Sequence, residues 1–250
     1  MKLENIDRNI QKNEFSIRLD PQWMISSIFV LIFLQVLIHV VALANWHLGG
    51  IRNNFTILFV DFFDLSGDST IPTWFSSALL FLCAFFLFLT YIIKVRHVDK
   101  YKYYWLGLAS IFLLFSVDEV ATIHEKVGEK LSSQFLGETT GLLYYGWIVF
   151  GSIFVGLLAL IYFRFFKRLP RKTTVMMVGA LAIFFIGALG VEAFNGQYSE
   201  IHDSWSLGYA LGTAVEESFE MVGTTLFLRA IIDYLQTYTG CENFEMRLGS

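Results

Sequence analysis

Glu216, Glu217 and Glu220 stand within five residues of one another in the run Thr213-Ala214-Val215-Glu216-Glu217-Ser218-Phe219-Glu220-Met221. That run lies inside an apolar stretch, Leu207–Ile232, long enough to cross a bilayer. An ionised acid near the centre of a spanning helix costs roughly 2.5–3.5 kcal/mol, so three without partners would cost about 8–10 kcal/mol. A metal ion, bound protons or a cationic substrate would offset that cost. At about 100° per residue the three carboxylates occupy one arc of about 100°, with Glu220 in the middle and Thr213 and Thr224 in the same arc. Gly212 and Gly223 border the arc and leave room for a neighbouring helix or an ion. Arg229 and Asp233 mark the polar end of the stretch, which places Glu220 about 13 Å inside it and argues against a merely solvated helix end.

A second polar run is Ser116-Val117-Asp118-Glu119-Val120-Ala121-Thr122-Ile123-His124-Glu125-Lys126. On a helix Asp118, Thr122 and Glu125 share a stripe flanked by Glu119, whereas His124 lies about 120° from Asp118. His124 therefore joins the same ion only if the helix unwinds there or the site is broad. Glu192 closes a further apolar run at a depth similar to Asp118, and Glu200, His202 and Asp203 follow in what reads as a loop.

No basic residue within the spans is available to pair with these acids. A divalent metal resolves their mutual repulsion. The candidate ligands are Glu119, Glu192, Glu216, Glu217 and Glu220, with His124 as ligand or acid/base and Asp118 in support. Such a set resembles carboxylate-bridged two-metal centres in helical bundles, without their Glu-x-x-His pairs. Oxygen-rich ligation suits iron, manganese, calcium or magnesium, and a histidine admits zinc. Ser116 falls on a different face from Asp118, and no nucleophile elbow is present, which leaves a Ser/His/Asp hydrolase without support. His47, His202 and Asp203 stay open as additional ligands. His39 reads as a packing histidine, and Asp61, Asp64 and Asp68 as loop acids near the same mouth.

The elements that must carry these groups follow from composition. The chain has 250 residues, 55% hydrophobic and only 16% charged. Its long apolar runs, Ile25–Asn45, Trp74–Ile93, Tyr104–Val117, Leu142–Phe163, Val175–Val191 and Leu207–Ile232, predict an all-α integral membrane protein with a bundle of six transmembrane helices. Of the 18 basic residues, all but Arg52, Lys126 and Lys130 fall on one side of that bundle. The positive-inside rule then places both termini in the cytoplasm and the acids on the extracytoplasmic side. Residues 1–23 form a cytoplasmic leader, 24–236 one membrane domain and 237–250 a cytoplasmic tail. Asn54–Phe63 is too short to span and too apolar for a loop, and reads as an interfacial or re-entrant piece. The strongly acidic side excludes nucleic acid as a partner there. Cys83 and Cys241 give neither a disulfide framework nor metal spacing.

Three segments carry a resemblance: Asp61–Ser76 with its Pro72-Thr73-Trp74-Phe75-Ser76, the Ser116–Glu125 run, and Glu216-Glu217-Ser218-Phe219-Glu220-Met221-Val222-Gly223. They resemble an uncharacterised family of bacterial multi-pass membrane proteins, over the second through sixth spans. The resemblance implies a bacterial cytoplasmic membrane and brings no established activity. Six-span zinc hydrolases of the alkaline-ceramidase kind are a looser analogy, since their paired late histidines are missing here. Three functions remain in play. One is a metalloenzyme acting on a lipid-like or apolar substrate, another a cation- or proton-coupled transporter or channel, and the third a non-catalytic accessory or sensor subunit. The bilayer is the expected partner, and a homo-oligomer stays open.

Overall fold

Runs of this length and apolarity have one low-energy form in hydrocarbon, because every backbone N–H and C=O must bond within its own segment. A computed structural model describes residues 15–19, 21–47, 49–50, 53–202, 206–239 and 244–248. Leader positions 1–14, tail positions 240–243 with Cys241, and Asp203 lie outside the described residues.

Five helical stretches are long and apolar enough to cross a membrane. They are α1 (Pro21–His47), α3 (Ile71–Arg96), α4 (Lys102–Ala121), α6 (Trp147–Phe166) and the continuous stretch Arg171–Ile201. In the last, α7 (Arg171–Phe185) passes through a π-helical turn, Ile186–Val191, into α8 (Glu192–Ile201). The sixth expected span is α9 (Leu207–Tyr238), a 32-residue helix that its glutamates make less apolar than the other five. Two shorter helices are α2 (Asn54–Phe63) and α5 (Ile123–Phe135). Asn53 and Thr56 close a reciprocal capping box at the start of α2, each side chain accepting the other's backbone N–H at 2.9 Å. Thr70 caps α3 and Pro72 sits in its first turn, as the Asp68–Pro72 run predicts.

One feature departs from the all-helical expectation. Phe15–Leu19 (β1) pairs antiparallel with Phe244–Leu248 (β2), with Phe15 opposite Leu248. The ribbon joins the segment before α1 to the one after α9, so these two segments meet at the same end of the bundle.

α9 is the central helix, packed by α1, α3 and α7, with Leu228, Ile231 and Leu235 fully buried. The half of the bundle toward Lys94, Arg164 and Arg171 is filled by aromatic rings. Trp105 stacks on Tyr234 at 4.8 Å and meets Phe165 edge-on at 5.1 Å, and Phe112 stacks on Phe227 at 4.6 Å. The close approach of α7 to α9 depends on glycine. A Cβ at Gly223 would lie 2.6 Å from the backbone N of Phe184 and 2.8 Å from its Cα. One at Gly187 would lie 2.9 Å from the Glu216 carbonyl and 3.1 Å from Glu220 Cγ.

Candidate functional site

Beyond the aromatic layer the helices part around a cavity of about 1170 Å³. Asp118, Glu119, His124, Glu192, Glu216, Glu217 and Glu220 all line it, so the structure brings the whole predicted set together. Glu125, Asp68, Glu129 and Glu138 line it as well, and among the described residues its lining contains no Lys or Arg.

The geometry begins at Thr122, whose backbone is left-handed (φ 47°, ψ 45°). A β-branched residue in this region is a strained exception, and such strain clusters at functional positions. The kink ends α4, starts α5, and breaks the regular stripe that would have kept His124 away from Asp118. Asp118 Oδ1 accepts the backbone N–H of His124 at 2.7 Å, capping α5, while Oδ2 lies 2.7 Å from His124 Nδ1. His124 Nε2 lies 3.9 Å from Glu125. Thr122→Gly keeps the turn without the Cβ penalty. It should raise thermal stability by about 1 kcal/mol, measured as a higher melting temperature with Asp118 and His124 unchanged.

Burial works against charge on the His124 imidazole, but the hydrogen bond and charge of Asp118, with Glu125 and Glu119 beyond, outweigh it and raise its pKa above the ordinary value. Burial, partly countered by His124, raises the pKa of Glu125. A raised histidine pKa means that the folded chain holds a proton the unfolded chain has released. The stability it contributes is therefore complete below about pH 6.5 and is lost as pH rises through the folded value. In chelator, the melting-temperature gap between wild type and His124→Gln should narrow as pH rises above about 6.5; a gap that widened would show that the pair is not charged.

Two glutamates are held by a donor on one oxygen, which leaves the other free. Trp147 Nε1 donates to Glu192 Oε1 at 2.7 Å, and Asn195 Nδ2 donates to Glu216 Oε2 at 2.6 Å. The Trp147 ring also lies at 4.4 Å from the His124 ring, edge to face. Glu192 and Asn195 share a face of α8 at i, i+3. The wider winding of the π turn sets that face relative to α7, and such turns recur at functional sites. Glu119, Glu217 and Glu220 have no hydrogen bond among the described residues. Each is half-buried, and the surface it keeps faces the cavity rather than bulk solvent. Glu217 interacts electrostatically with Glu119, Glu216 and Glu192, and Glu220 with all four of the others.

Other candidates lie elsewhere. His47 is exposed at the end of α1 and does not line the cavity. His202 stacks on Tyr198 at 4.3 Å, away from the lining, and Glu200 is helical in α8 where a loop was expected. Of the three loop acids only Asp68 reaches the cavity, while Asp64 accepts from the Ser66 N–H. His39 is a packing histidine, 2% exposed, whose Nδ1 accepts the Leu65 N–H at 3.1 Å. Trp147 and Asn195 are site residues that the sequence patterns did not single out. Neither belongs to a spacing motif, and each is recognised only by the carboxylate it touches.

The metal expectation meets a difference. Among the described residues no three His, Cys, Asp or Glu side chains stand close enough together to hold a metal ion as arranged. The predicted ligands form the wall of a cavity and not a closed coordination shell.

The five apolar helices suggest a membrane protein, here one with an acidic cavity among its helices. Residues 29–235 match the family described as "Domain of unknown function (DUF8692)", and the chain belongs to that family. This is consistent with the uncharacterised family that the sequence motifs implied. No curated protein and no solved structure matches the chain.

Proposed function

We propose that this chain is a six-span integral membrane protein whose cavity holds a divalent metal and acts there on an apolar, lipid-like substrate. The observation that carries the reading is the make-up of the cavity wall. Five glutamates from α4, α8 and α9 converge on one space with no Lys or Arg in its lining among the described residues. Glu119, Glu217 and Glu220 would supply the free carboxylates, Glu192 and Glu216 their remaining oxygens, and His124 its Nε2. Asp118, Trp147 and Asn195 would orient three of these groups, as the supporting shell of metal sites does. Iron, manganese, zinc and calcium all suit this donor set. The metal would serve as a Lewis acid or activate water. His124, oriented through Nδ1 by Asp118, would use its Nε2 either as that ligand or, off the metal, as the acid/base at the substrate.

α9 is the sixth span in this reading, and the β1–β2 ribbon supports it, because ends that meet at one side require an even number of crossings. The basic ends of α3, α6 and α7 would face the cytoplasm of a bacterial cell and the cavity the opposite side. Aromatic packing between the cavity and the basic end favours an enzyme over a channel or transporter. Metal analysis of the purified protein tests the reading, with at least one equivalent of divalent metal expected. Less than that, or uptake of a labelled cation into proteoliposomes, would overturn it.

A further inference from the structure

The cavity is larger than metal ions require, and part of its wall is apolar. Leu114 and Phe115 of α4, Phe150 and Phe154 of α6, and Phe185 and Leu189 beside the π turn form that part. Leu114 is 64% and Phe154 44% exposed, although both also line the cavity. The space therefore reaches the outer surface of the bundle sideways between α4 and α6, in the apolar belt of both helices. α6 is otherwise thinly attached, with only 17% of its apolar window buried inside the protein. The Phe115 and Phe154 rings meet edge to face beside it, with their centroids 6.4 Å apart.

The polar end of the cavity carries a second mark of a ligand besides its acids. Thr122 is only 6% exposed, lines the cavity, and its hydroxyl has no hydrogen-bond partner among the described residues. Its oxygen is not sealed off, and whatever fills the cavity completes its hydrogen bonding.

Resting on the reading of the cavity as the functional site, we infer that its ligand is a long-chain amphiphile with a cationic, amine-type head. It enters from the bilayer between α4 and α6, its chain lies along Leu114, Phe115 and Phe154, and its head reaches the glutamates and the Thr122 hydroxyl. Phosphate and sulfate heads are disfavoured by charge, since the lining has neither Arg nor Lys among the described residues, and of the two helix N-termini in it that of α5 is already capped by Asp118. The preference persists with metal bound. Two divalent ions against five glutamates leave negative charge in place, and Asp68, Glu125, Glu129 and Glu138 add to it while Asp118 and His124 cancel. An ammonium head donates three hydrogen bonds and is stabilised by the same field that repels an anion.

The test uses the full chain in phosphatidylcholine nanodiscs, with dodecylammonium and dodecyl sulfate as chain-matched probes and tryptophan fluorescence as the readout. Wild type should bind dodecylammonium at least tenfold more tightly than dodecyl sulfate, and hexylammonium more weakly than dodecylammonium. Val155→Trp, which fills the apolar arm, should lower dodecylammonium binding at least tenfold with metal content unchanged. If that variant fails to fold, Leu114→Trp replaces it with the same expected result. Equal binding of the two head groups, or binding indifferent to both tryptophan substitutions, overturns the inference. Metal present without any head-group preference overturns this inference alone, whereas the preference without metal overturns the metal reading alone.

Discussion

Replacing Glu217 and Glu220 together by Gln should remove the proposed divalent metal from the purified protein and leave the helical bundle folded. The two carboxylates sit at the centre of the acidic wall and are held by no hydrogen bond among the described residues. Gln keeps their shape while removing two anionic ligands. Losing a supporting residue of a metal site costs 10–100-fold in affinity, so losing two direct ligands should cost at least about 100-fold. Stability should move the other way. In chelator the variant loses two acids that face Glu119, Glu192 and Glu216, and nothing else that the structure shows them holding. It should therefore melt no lower than chelator-treated wild type. Elemental analysis with thermal melts of both proteins provides the check. Metal retained at wild-type level would sink the proposed ligand set, and equal metal-free stability with no metal in either protein would favour a non-catalytic role for the acids.

Gly223→Leu should separate α7 from α9 and empty the site without touching a carboxylate. The new Cβ would fall 2.6 Å and 2.8 Å from backbone atoms of Phe184, which cannot rotate aside as a side chain can. Overpacking of this kind costs about 1–3 kcal/mol and occasionally more, and a backbone obstacle belongs at the upper end. The displacement also carries the π turn and α8, so Glu192 and Asn195 lose their places beside Trp147 and Glu216. Metal content and melting temperature should both fall. Gly156→Leu and Gly179→Leu are the controls, because nothing lies within 4 Å of a Cβ at either position. Unchanged metal binding in Gly223→Leu would show that the α7–α9 contact does not position the site.

Much of this arrangement is written locally in the chain. Apolar run lengths define five helices suited to a bilayer, and α9 follows from the same periodicity despite its acids. The 3.6-residue repeat puts Glu216, Glu217 and Glu220 on one face, and the structure turns that face into the cavity. Gly212 and Gly223 were legible as points of close approach, and Asn195 and Phe184 are what they admit.

Periodicity also sets the limit of such reading, since it assumes that each helix continues regularly. On a regular helix His124 points away from Asp118; the left-handed Thr122 brings the two within 2.7 Å. On a regular helix Glu192 simply ends an apolar run; the π turn and α8 carry it to Trp147 and place Asn195 against Glu216. The chain by itself determined which residues are acidic, at what depth they lie and on which helix face. Only the tertiary structure decided which of them share a space and which donors hold them. Both irregularities cost backbone energy. At Thr122 the Asp118 cap offsets that cost, and at the π turn the Gly187 contact with α9 does so, bringing together residues that local sequence patterns treat as independent.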